Sequence, residues 1–129
     1  MPYHSYIFFD IEPSIHALTA EAAQKAKKDF AEHIEKSAGV QSRAYATLGL
    51  KTGTRLMLHL NAKTPDAIQL LVRDLLHTML GTHMKITYTL LGLTRASQYN
   101  SSHAPKEPDF NSVHSYLVVY PFTKTTKWH

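Results

Sequence analysis

Residues 64–81 read Thr64-Pro65-Asp66-Ala67-Ile68-Gln69-Leu70-Leu71-Val72-Arg73-Asp74-Leu75-Leu76-His77-Thr78-Met79-Leu80-Gly81, and the fold turns on this stretch. Thr64 is a helix-capping side chain, Pro65 has no N–H to lose at the first helical position, and Asp66 faces the positive end of the helix dipole. Ile68, Leu71, Val72, Leu75, Leu76 and Met79 then recur at helical spacing and form one apolar face. Gly81 is the stop signal.

Strands flank this helix on both sides. Upstream, Leu56, Leu58 and Leu60 alternate with Met57, His59 and Asn61, the period of a half-buried strand. Ahead of that strand, Gln41 to Leu50 carries Tyr45 and Leu48 and leads into a turn at Lys51-Thr52-Gly53, so a hairpin is expected. Downstream, Met84, Ile86, Tyr88 and Leu90 are expected on one side of a fourth strand. Further out, the aromatic and β-branched run Tyr6-Ile7-Phe8-Phe9, closed by Asp10 and Pro13, reads as the first strand. Between the first two strands, Thr19 can cap a helix in which Ala23, Ala26, Phe30 and Ile34 face inward and Lys25, Lys27, Lys28, Glu32 and Glu35 face water, with Gly39 as its stop.

The order is therefore β-α-β-β-α-β, an α+β arrangement of the ferredoxin-like type. Residues 96–112, rich in Ser, Asn, Pro and His, read as a surface loop. A further C-terminal strand is expected over His114 to Phe122, apolar on both faces, followed by a short polar tail. The expectation is one domain over 1–129, with its core in 1–95, a loop over 96–112, and the last strand and tail over 113–129. A ferredoxin-like sheet has one face without helices, which needs cover from another domain or subunit.

Composition narrows the chemistry. The 129 residues include no Cys, which removes disulfides, zinc–thiolate sites, Cys-held iron–sulfur clusters and thiolate or covalent haem attachment. Nine His accompany a net charge of +4, and protonating all nine gives +13, so the charge is sensitive to pH near the imidazole range. No run approaches the roughly 18 apolar residues of a membrane span. The N-terminus has no signal-peptide pattern, and a cytoplasmic location is expected.

The segment Tyr120-Pro121-Phe122-Thr123-Lys124-Thr125-Thr126-Lys127-Trp128-His129 resembles the Tyr-Pro-Phe-x-Lys-x-x-x-Trp-aromatic segment of the chlorite dismutase and coproheme decarboxylase superfamily. Leu93-Thr94-Arg95-Ala96-Ser97-Gln98-Tyr99 is similar to that family's Thr-Arg-x-Ser-x-Tyr stretch, and Tyr45 to Leu58, with Leu48-Gly49-Leu50 before a turn, resembles the equivalent region. The resemblance implies half of a dimeric α/β-barrel, the N-terminal of two ferredoxin-like domains. It also implies that the tail is bridge-like and lies beside haem propionates. Tyr120 then matches a tyrosine used as a radical relay, Lys124 a lysine paired with a propionate, and Trp128 a tryptophan at the haem edge. The family's proximal His and distal pocket lie in its second half and match nothing in this chain.

Read without the resemblance, Tyr120 is a core aromatic and Lys124 a solvated cation. The histidines carry no HxxxH or HExxH spacing, so no metal set is assigned. His59 lies in a strand, His77 near the negative end of a helix, His83 and His103 in loops, and His4, His16 and His33 are scattered. His114 and His129 flank the Tyr-Pro segment. The pI near 9.3 raises nucleic-acid binding, but the cations form no run interleaved with aromatics. Leu56-Met57-Leu58-His59-Leu60 also stands where an RNA-binding sheet of this type carries its aromatic signature.

The resulting expectation is a subunit of a haem-binding, chlorite dismutase-like complex. Haem b or coproheme would sit at the interface with a second subunit carrying the proximal His, in a ring-shaped hetero-oligomer. Haem-dependent redox activity is expected of that complex and not of this chain alone. The alternative is a haem-free homo-oligomeric α/β-barrel with a structural or small-ligand-binding role.

Overall fold

The structure, a computed structural model, describes residues 1–94 and, beyond them, Leu117 and Val119. Six principal elements follow in order: β1 (Tyr3–Ile11), α1 (Ala20–Glu35), β2 (Val40–Ala46), β3 (Leu56–Ala62), α2 (Pro65–Leu76) and β4 (Met84–Leu93), with short 3-10 turns at Pro13–Ala17 and Gly81–His83. The strands form one sheet in the order β2-β3-β1-β4, every neighbour antiparallel. This is the ferredoxin-like arrangement expected from the sequence. The loop at 96–112 and the tail lie outside the described residues. Of the last expected strand only Leu117 and Val119 are described, and neither lies within a strand.

Register decides which side chains meet. Ile7 pairs with Leu58 across β1 and β3, so Ile7 and Phe9 share the helix-side face with Leu58, Leu60 and Ala62. Ala26 and Phe30 of α1 and Ile68, Leu71 and Leu75 of α2 close over them in one core. Phe9, Leu58, Leu60 and Leu75 are fully buried. Truncating any one of the three leucines to Ala costs about 2–5 kcal/mol through lost contacts and the cavity left behind.

Both helices start where capping chemistry places them. The Thr19 hydroxyl accepts from the Ala22 amide at 3.1 Å, and the Thr64 hydroxyl from the Ala67 amide at 3.3 Å. Their ends differ from expectation. Helix α1 stops at Glu35, and Gly39 lies beyond it in the turn into β2, with φ 78°. Helix α2 stops at Leu76, leaving Met79 exposed. The Thr78 hydroxyl donates to the Leu75 carbonyl at 2.6 Å and accepts from the Gly81 amide at 3.0 Å, which folds the chain back onto the last turn. Gly81 is required there for space: a Cβ would collide with the Leu75 carbonyl.

Three further differences have local causes. Strand β2 ends at Ala46, and Leu48 and Leu50 are exposed in the loop that follows. Strand β3 is buried on both faces, since it lies inside the sheet and its helix-free side chains pack against the rings of β1. In β4 the register shifts, Phe8 pairing with Tyr88 and Phe9 with Ile86. Thr87 is thereby the extra residue of a β-bulge, and its hydroxyl donates to the Phe8 carbonyl at 3.3 Å. The bulge places Met84 and Ile86 on the helix side and Tyr88 and Leu90 on the opposite side, so the four do not share a face.

Candidate functional site

The helix-free face of the sheet gathers the chemistry. It carries His4, Tyr6 and Phe8 from β1, Met57, His59 and Asn61 from β3, Arg43 and Tyr45 from β2, and Tyr88 from β4. Antiparallel pairing sets Tyr6 opposite His59 and His4 opposite Asn61. The Tyr6 and His59 rings stack with centroids 4.3 Å apart. His4 Nδ1 lies 3.0 Å from His59 Nε2, and both residues are 97% buried.

Asn61 completes this cluster. Its Nδ2 donates to the carbonyls of Met1 at 2.6 Å and Tyr3 at 2.9 Å, and lies 3.4 Å from His4 Nε2. Burial, then the neighbouring His4, push the His59 imidazole down to about 4. Burial also raises Tyr6, with Tyr45 adding to the effect. At the other end of the face the Lys51 ammonium sits 5.2 Å from the Phe8 ring centre and 4.8 Å from that of Tyr88, a cation held over two stacked aromatics.

Three of the other described histidines bond helix ends or turns. His77 caps α2 and its Nδ1 donates to the Arg73 carbonyl at 2.7 Å, the welcome expected for an imidazole at a negative helix end. His33 does the same toward the Asp29 carbonyl at 2.9 Å, and His83 bonds the Ser14 hydroxyl at 2.8 Å. Among the described residues no three His, Asp or Glu side chains converge on a metal position. No helix among them is long and apolar enough to cross a membrane. Tyr120, Lys124 and Trp128, the residues the sequence puts forward for cofactor contact, lie outside the described residues, as do His114 and His129.

The His4–His59–Asn61 cluster is the feature that sequence reasoning missed. Its signal was present but incomplete: His59 alternates with the leucines of its strand, and His4 stands just ahead of the apolar run of the first. Only the pairing register of β1 with β3, which spans 55 residues of chain, brings them together.

A family model described as chlorite dismutase matches residues 20–129. The chain belongs to the chlorite dismutase family. Solved structures of this family have the same fold. A substituted chlorite dismutase from Candidatus Nitrospira defluvii aligns with TM-score 0.73 and 21% identity, covering 78% of this chain and 42% of that one. The enzyme from the same organism in complex with imidazole aligns with TM-score 0.71 and 21% identity, covering 75% and 41%. A further variant in complex with cyanide gives 0.73 and 21%, covering 78% and 42%. The chain thus spans less than half the length of the chlorite dismutases it matches.

The family implies haem, and five of the six described histidines, all but His16, are engaged in bonds within the fold. The two buried imidazoles are bonded to one another, with His4 also against Asn61, and His33, His77 and His83 hold helix ends or turns.

Proposed function

We propose that this chain is one half of a haem-binding unit of the chlorite dismutase type. A second chain of the family supplies the domain that ligates iron, and this chain supplies the propionate side through Tyr120, Lys124 and Trp128. The observation that supports this reading is the family match, which runs through the Tyr120-Pro121-Phe122 segment to residue 129, while the fold covers about 42% of a chlorite dismutase.

The chemistry assigned to these residues is modest and specific. A propionate is an anion, and Lys124 offers it a cation on a long stem. The Tyr120 phenol can donate a hydrogen bond and is oxidisable, and Trp128 offers apolar area to a porphyrin edge. In the assembled pair, Lys124→Ala is expected to weaken haem binding about tenfold, the loss of one charge-assisted hydrogen bond. Spectrophotometric haem titration of the variant pair checks this, and an unchanged affinity removes the propionate role from Lys124.

The haem-free alternative has one observation in its favour. Edge strand β4 exposes Ile86, Leu91 and Leu93, apolar surface of the kind that self-association covers. Native mass spectrometry separates the two readings: a haem-free ring or dimer of this chain alone supports the alternative, and a two-chain assembly supports the haem unit.

A further inference from the structure

We infer that the trough between α2 and β4 binds one molecule of a fatty carboxylate, its acyl chain lying along the trough and its anionic end beside Arg73. None of the residues lining the trough belongs to the Tyr120-to-Trp128 segment, so the site stands apart from the haem reading.

The trough follows from how two helices share four strands. Helix α2 packs against α1 and β3, and the helix side of edge strand β4 is left open, with Ile86 and Leu91 40% and 59% exposed. The bulge at Thr87 puts these two side chains on the same side of the sheet. They form one wall, and Ile68, Val72 and Leu76 of α2 form the other. Ile7 of β1 lies at the floor, and the cavity between them measures about 600 Å³. That volume, with walls so apolar, is within the range of small-molecule sites. From Pro65 to His77 the helix runs about 18 Å, room for an extended acyl chain.

Charge selects the other end of the ligand. Gln69, Arg73 and His77 recur at every fourth position along the exposed rim of α2. Among the described residues that line the trough, Arg73 is charged and no carboxylate joins it. Asp29, Glu32 and Asp74 line the separate cleft between α1 and α2. Asp74 does reach Arg73, accepting from Nε at 3.1 Å and from Nη2 at 2.9 Å. The guanidinium has five N–H groups, so the two on Nη1 remain for a second acceptor. The carbonyl end of α2 disfavours an anion at His77 itself. The carboxylate therefore belongs one turn earlier, between Arg73 and the Gln69 amide. A cationic amphiphile meets like charge at this rim, and an uncharged one leaves the guanidinium unused.

NMR titration of the full chain with decanoate, kept below the concentration at which it forms micelles, reads the site. Methyl resonances of Ile68, Val72, Ile86 and Leu91 are expected to move together along one saturable curve. Decyltrimethylammonium, with the same chain and the opposite charge, should bind at least about tenfold more weakly. Arg73→Gln should weaken decanoate about tenfold through the loss of a charge-assisted hydrogen bond, and leave decanol binding unchanged. Leu91→Glu, at an exposed position, should abolish decanoate binding. Should that variant not fold, Arg73→Gln and the comparison of headgroups decide. Shifts that never saturate, or shifts led by exposed Leu48 and Leu50, overturn the site. Equal affinity for the cation, or decanoate binding untouched by Arg73→Gln, overturns the carboxylate.

Discussion

Between pH 6.5 and about 4 the His59 imidazole binds fewer protons in the fold than in the unfolded chain, because burial and then the neighbouring His4 resist its protonation. Stability is thus fully present above the free imidazole value and falls as pH drops through this window, by up to about 3 kcal/mol if the whole shift is expressed. Urea unfolding midpoints at pH 7.5 and pH 5 check the sign, and a midpoint no lower at pH 5 contradicts it. Gly81 offers a second test at the same scale. Gly81→Ala drives a methyl group into the Leu75 carbonyl, and the forced displacement is expected to cost about 1–3 kcal/mol. A thermal midpoint unchanged by this substitution would show that the turn yields freely.

At the scale of elements, α2 was fully legible at its start and not at its end. Thr64, Pro65 and Asp66 act locally, so their order is enough to place the cap. Thr64→Ala is expected to cost about 1 kcal/mol, measurable as a lower denaturation midpoint with the helix retained. The end depends on the Thr78 hydroxyl folding the chain back, a tertiary choice that overrides the apolar phase carried on to Met79. The sides of β4 were misread for a related reason. Alternation is a rule for an unbroken strand, and the bulge at Thr87 resets it halfway along. The helix-free cluster was illegible because register is a long-range property: His4 and His59 gain meaning only once β1 and β3 are aligned.

At the scale of the whole molecule, element order and the balance of two helices against four strands were enough to give the ferredoxin-like arrangement, and the family match agrees with the motifs that pointed to it. The account then rests on a division of labour. The described residues build a sheet whose buried imidazoles are engaged with each other, and the iron ligand is assigned to a second chain. The most direct test is a haem titration followed at the Soret band, on the purified chain alone and on the chain co-expressed with a chlorite dismutase-like subunit carrying a helical His. The account predicts no stoichiometric band for the chain alone and one haem per pair for the assembly. Tight, stoichiometric haem binding by the chain alone, or an assembled pair that takes up none, would contradict it.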